Sequence, residues 1–101
     1  MPHVVLTRDA TLDLKRLQDF LKHKNPRSAQ RAADAIRAGL RSLAPFPEKG
    51  RPIEGGDGNL RELFIEYGSN GYVAKYSFLG NDVSILAIKH GHEGSYREEG
   101  L

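Results

Sequence analysis

Cysteine is absent from this 101-residue sequence, which excludes disulfides, cysteine-based zinc sites and thiol nucleophiles together. That fits a reducing compartment, and a cytoplasmic location is expected. Long apolar runs are missing as well. The opening Met1-Pro2-His3-Val4-Val5-Leu6 is too short for a signal peptide. No stretch approaches the ~20 apolar residues a membrane span needs, so no membrane partner is expected. A large charge excess is also lacking: Lys and Arg number 15 against 13 Asp and Glu, a formal net charge of +2. A protein held on nucleic acid mainly through phosphates usually shows a clearer excess or a cluster. There is no internal repeat and no low-complexity segment. The length is that of one domain spanning 1–101.

The charge that is present is unevenly placed. Between residues 8 and 51 stand Arg8, Lys15, Arg16, Lys22, Lys24, Arg27, Arg31, Arg37, Arg41, Lys49 and Arg51, against Asp9, Asp13, Asp19, Asp34 and Glu48. The first half is therefore basic and the second close to neutral or acidic. A solvated helix surface accounts for such a distribution.

His3 to Leu6 is a short β-branched run and reads as an edge or first strand. Thr7 is a helix cap for the segment 8–24, where Ala10, Leu14, Leu17 and Leu21 recur at steps of three and four with Phe20 beside them. Asp13, Lys15, Arg16, Asp19 and Lys22 are expected on the other face. Asn25-Pro26 breaks the chain, with Asn25 as N-cap and Pro26 at the first helical position, where a missing N–H costs nothing. A second helix to about Leu43 carries the stripe Ala29, Ala32, Ala33, Ile36, Leu40 and Leu43. Two such helices form a hairpin.

From Ala44 to Asn59 the pattern dissolves into proline and glycine, and a loop is expected. Three alternating runs follow, Arg61–Tyr67, Tyr72–Leu79 and Val83–His90, separated by Gly-containing turns, as in an antiparallel meander. The expected architecture is β-α-α-β-β-β, an α+β domain in which an N-terminal strand precedes a helical hairpin packed on a small antiparallel sheet.

Few residues suggest chemistry. The stretch Gly55–Gly58 lacks the flanking strand, helix, lysine and Ser/Thr of a phosphate loop. His90 and His92 stand two apart at the end of the last strand, and Glu93 follows, but nothing fixes a metal geometry; neither a metal nor a cofactor is expected. His90 is the better candidate for acid–base work because imidazole titrates near neutrality. No serine nucleophile constellation is readable. Tyr67, Tyr72 and Tyr76 fall on apolar strand phases and read as core residues with polar tips. Arg51 and Arg61 bracket the loop, and Arg61 is suited either to a ligand phosphate or to anchoring the loop through backbone carbonyls.

Several strings, in order, resemble the RelE/ParE superfamily of toxins from type II toxin–antitoxin (plasmid stabilisation) systems. They are Leu14-Lys15-Arg16-Leu17 with Phe20-Leu21, Asn25-Pro26, Ala32-Ala33 with Ile36, Leu43-Ala44-Pro45-Phe46-Pro47, Gly50-Arg51-Pro52 and Leu60-Arg61-Glu62-Leu63. Gly71-Tyr72-Val73 with Tyr76, then Val83–His90, Glu93 and Tyr96 complete the set, which spans about residues 4–96. The resemblance implies a growth inhibitor neutralised by a cognate antitoxin, with which it could form a larger oligomer. It also implies a target that is either DNA gyrase or the ribosome and its mRNA. An antitoxin would bind an apolar groove beside the helical hairpin, and Phe20, Leu21, Phe46 and Phe64 are the apolar candidates for exposure there. The mRNA-cleaving branch, in its best-known form, carries basic residues on the first strand after the loop and an arginine just after Gly-Tyr. Here Phe64 and Glu66 stand at the former and Val73 at the latter, and Ser77 follows Tyr76 where many relatives have arginine. A ribonuclease would have to rely on His90 and Tyr96 for proton transfer and on Arg61, with Lys75 and Lys89, for charge around the phosphate. The missing lysines favour the gyrase-binding, non-catalytic mode over the endoribonuclease.

Overall fold

In the computed structural model, which describes residues 2–54, 58–68 and 71–91, the element order is β1 (His3–Leu6), α1 (Arg8–Lys24), α2 (Pro26–Arg41), β2 (Arg51–Pro52), β3 (Leu60–Ile65), β4 (Tyr72–Leu79) and β5 (Asp82–His90). The expected α+β architecture of strand, helical hairpin and meander is present. The helix boundaries follow from local chemistry. Thr7 caps α1 by accepting from the Ala10 N–H at 3.2 Å. Asn25 caps α2 by accepting from the N–H groups of Arg27 and Ser28 at 3.0 and 3.2 Å, with Pro26 in the first turn. Helix α2 ends at Arg41, and 42–45 continue as turns in which Leu43 and Ala44 donate to the carbonyls of Leu40 and Arg41.

The sheet order is β1-β5-β4-β3-β2. Strands β3, β4 and β5 form the antiparallel meander. Strand β1 joins β5 in parallel, from His3 opposite Asp82 to Leu6 opposite Ile85. Strand β2 is a two-residue addition within the expected loop, with Arg51 opposite Glu62 and Pro52 opposite Arg61. An edge position suits Pro52, which has no N–H to give a ladder.

One face of the sheet packs on the helices. Leu63, Ile65, Tyr72, Ala74, Tyr76, Val83, Ile85 and Ile88 meet Ala10, Leu14, Leu17, Ala32, Ile36, Leu40 and Leu43 in a single core. Small residues on α2 let it approach closely: a Cβ on Gly39 would stand 2.8 Å from the Ile65 side chain.

The structure corrects one expectation about α1. Asp13 lies not on its polar face but in the interior, 3% exposed. Its position, three residues after Ala10 and four before Leu17, is in phase with the apolar stripe. Its carboxylate accepts from the Ile88 N–H at 3.0 Å. This bond falls beside an irregularity in β5: Tyr76 pairs with Ile85 but Lys75 with Ala87, so Leu86 is an extra residue, a β-bulge. Thr7 secures the other side of the bulge, its hydroxyl donating to the Ile85 carbonyl at 2.8 Å. Helix α1 is thus fastened to β5 by polar bonds at both ends of the irregularity, as well as by apolar packing.

Candidate functional site

The last two turns of α1 pass over the start of β4 and the end of β5, leaving a groove of about 700 Å³ lined by Arg16, Leu17, Phe20, Leu21, Lys24, Tyr72 and His90. Its floor is aromatic. The rings of Tyr72 and His90 meet edge to face with centroids 5.5 Å apart, and Tyr67 lies 6.2 Å from Tyr72. Burial pushes the Tyr72 phenol above its ordinary value, and neighbouring Tyr67 adds to the shift. Tyr67 in turn donates to the Ser28 carbonyl at 3.1 Å, tying the beginning of α2 to this end of the sheet. The wall is apolar and half open to water: Phe20 is 58% exposed, with the Lys24 ammonium 4.7 Å above its ring. Arg16 and Lys24 make the rim cationic. Such a site takes an apolar side chain on its floor and a carboxylate at its edge.

A second depression, of about 690 Å³, lies on the opposite, helix-free face of the sheet. Phe64 and Val73, paired across β3 and β4, form its apolar base. Lys49, Arg51, Glu62 and Lys89 surround them. Glu62 offsets part of that positive charge, since its carboxylate holds the Arg51 guanidinium at 3.1 Å.

At the edge of this depression, the segment 46–50 is fixed by residues of β3 and β4. Tyr76 is fully buried; its hydroxyl donates to the Pro47 carbonyl at 2.7 Å and accepts from the Gly50 N–H at 2.8 Å. Arg61 donates to the carbonyls of Gly50 at 2.7 Å and Glu48 at 3.1 Å. Gly50 has to be glycine here, because a Cβ would come within 2.6 Å of both the Tyr76 hydroxyl and the Glu62 carbonyl. Tyr76, expected in the core, and Arg61, suited by sequence to either of two roles, both hold this loop.

The candidate site residues therefore fall in different places. Phe20 and Leu21 meet in the α1 groove. Phe46, 67% exposed, stands with Pro45, Pro47 and Phe78 at a separate shallow depression, and Phe64, 58% exposed, is on the open face. His90 turns to the helix side of the sheet and is part of the groove, not of the cationic open face. Arg61 is on β3, four residues from the Ile65–Tyr72–His90 row, which puts it about 13 Å along the strands and two strands across from His90. The structure does not bring these two together. Tyr96, His92, Glu93 and residues 55–57 lie outside the described residues. Among the described residues, no three His, Asp or Glu side chains gather as a metal site, and no helix is long and apolar enough to cross a membrane. The groove's cationic rim and the burial of Asp13 are not among the sequence expectations. For Asp13 the spacing held the signal, an acid in phase with the apolar stripe.

Comparison with known proteins matches the chain to one family. A family model described as the ParE toxin of the type II toxin–antitoxin system parDE matches residues 4–94. Toxin RelE1 of Caulobacter vibrioides is 34% identical over 90 residues, covering 89% of this chain and 94% of that protein. Toxin RelE3 of the same organism is 34% identical over 93 residues, covering 92% and 98%. A chain of the chromosomal ParDE TA system from P. aeruginosa shares the fold, with a TM-score of 0.74 at 23% identity over 89% of this chain and 96% of that one. With its β-α-α sheet architecture and a family match across nearly its whole length, the chain belongs to the ParE toxin family of type II toxin–antitoxin systems, within the RelE/ParE superfamily.

Proposed function

We propose that this toxin arrests growth by binding DNA gyrase rather than by cutting RNA, and that a cognate antitoxin neutralises it through the α1 groove. The observation that carries the first part is the separation of His90 from Arg61. RNA cleavage needs a base for the 2′-hydroxyl, an acid for the leaving oxygen and positive charge around one phosphate. His90 packs edge-on against Tyr72 in an apolar groove, while Arg61 has its guanidinium on two loop carbonyls. Phe64 and Val73 add apolar surface where the nuclease branch carries charge. This reading is strengthened by Glu62, which draws Arg51 into an ion pair.

The antitoxin reading rests on the groove. An amphipathic segment could place a large apolar side chain between Phe20, Leu21 and Tyr72, and acidic residues against Arg16 and Lys24. Phe46 and Phe64 would be reached only by a segment that continues beyond the groove.

One feature favours the alternative, a ribosome-dependent mRNA endoribonuclease: Lys49, Arg51 and Lys89 share the open face, a surface able to hold a phosphate. Relatives from Caulobacter vibrioides also carry the name RelE. The test is cleavage of ribosome-bound mRNA by the purified chain. The gyrase reading predicts intact transcripts; cleavage that a double His90→Ala/Tyr96→Phe variant abolishes would overturn it.

A further inference from the structure

We infer that the outer face of α2 is a contact surface for the phosphate backbone of a nucleic acid, read without regard to base sequence. At 100° per residue, Arg27, Arg31, Arg37 and Arg41 fall within an arc of about 120° along about 21 Å of helix. All four are exposed. Among the described residues, none of their guanidiniums makes a hydrogen bond or ion pair. The single acid of the helix, Asp34, accepts from Gln30 at 3.0 Å. A chain of net charge +2 thus concentrates four cations and one anion on one face of one helix.

Helix stability does not account for the arrangement. Arg41 in the last turn suits the helix dipole, but Arg27 stands in the first turn, where a cation is disfavoured and where α2 has no acid at all. Helix α1 shows the ordinary pattern, with Asp9 first and Lys22, His23 and Lys24 last.

The kind of partner follows from what the face lacks. The exposed large apolar side chains are Val5, Leu12, Phe20, Phe46, Phe64 and Leu79, none of them on α2. A protein partner would find no anchor to bury there and only exposed ion pairs, each of which contributes little. A polyphosphate needs no apolar anchor, because neutralising its charges releases condensed counterions. The residue choice agrees: α2 has no lysine, and guanidinium matches phosphate with two parallel hydrogen bonds. DNA and RNA both offer this chemistry. The inference stands apart from the choice between gyrase and ribosome, so its failure leaves the mRNA and gyrase tests untouched.

The experiment is fluorescence anisotropy of the purified chain with labelled duplex DNA, and separately with single-stranded RNA, each of scrambled sequence, between about 50 and 200 mM salt. Sequence-independent binding is expected to at least one of them, and whichever binds names the source. Log K should fall linearly with log salt, and each single Arg→Gln change at 27, 31, 37 or 41 should reduce the slope by about 0.9 on duplex DNA or about 0.7 on a single strand. The combined quadruple variant, its helix content checked by circular dichroism, should reduce it by about 3.6 on duplex DNA or about 2.8 on a single strand, while a control Lys15→Gln/Lys22→Gln on α1 leaves it unchanged. The single variants keep the test valid if the quadruple one does not fold. Three results overturn the inference: no binding to either nucleic acid at the lowest salt, slopes unaltered by the arginine changes, or equal affinity for polyglutamate, which would make the partner an acidic protein.

Discussion

The carboxylate of Asp13, in the second turn of α1, accepts the backbone N–H of Ile88 on β5, two residues past the bulge at Leu86. Seventy-five positions separate the pair in sequence, and their bond fixes where the helix lies over the strand whose end, His90, forms the floor of the groove. An unfilled N–H in that buried position costs about 1–3 kcal/mol. Asp13→Ala should therefore destabilise the fold by at least that amount, and Asp13→Asn, which keeps an acceptor, by less. Urea unfolding of the two variants checks the order; equal losses would mean that packing, not the bond, matters at this site.

The loop latch gives a second prediction. Tyr76→Phe removes the hydroxyl that serves both Pro47 and Gly50, and a loss of about 1–3 kcal/mol is expected. Gly50→Ala should be at least as damaging, since its Cβ meets the Glu62 backbone oxygen, which cannot swing aside as a side chain does. If Gly50→Ala were neutral in thermal unfolding, the loop would have to be looser than its hydrogen bonds indicate.

Tyr76 also sets a response to alkali. Burial raises its phenol above the ordinary 10.0, and Glu48 adds a little; the Gly50 hydrogen bond and Arg61 oppose the shift without reversing it. Above pH 10 the unfolded chain gives up this proton while the folded chain retains it. The unfolded state then binds fewer protons, so stability falls as pH rises. The contribution is complete below about pH 10 and is lost through the folded value above it. Urea midpoints measured on both sides of pH 10 should decline more steeply for the wild type than for Tyr76→Phe. Parallel declines would contradict the assignment.

The elements were legible because local chemistry places them. Thr7, Asn25 and Pro26 mark the helix ends, and the alternation of Tyr72, Ala74, Tyr76 and Phe78 marks a strand. What sequence could not register is pairing over distance. The parallel union of β1 with β5 joins opposite ends of the chain, and β2 is too short to carry a pattern. The candidate site was legible only in part for the same reason. Phe20, Leu21, Phe46 and Phe64 are all apolar residues near water or its edge, but the sheet lies between Phe20 and Phe64. His90 and Lys89 are neighbours in sequence that face opposite sides of a strand, so the proton-transfer and charge roles suggested for one surface are divided between two.

For the groove, Phe20→Asp is the informative change. Phe20 is more than half exposed, so the isolated toxin should keep its stability to within about 0.5 kcal/mol. Antitoxin affinity should drop by about 30-fold or more, as for a central aromatic anchor. Calorimetric titration of the cognate antitoxin into wild type and variant measures this directly; an unchanged affinity would place the antitoxin elsewhere.

Gyrase as the target can be examined by adding the purified chain to DNA gyrase and following supercoiling of a relaxed plasmid. A gyrase-binding toxin should give inhibition that rises with toxin concentration, is relieved by the antitoxin and persists in the His90→Ala variant. Full supercoiling activity at toxin concentrations in excess of gyrase would contradict it.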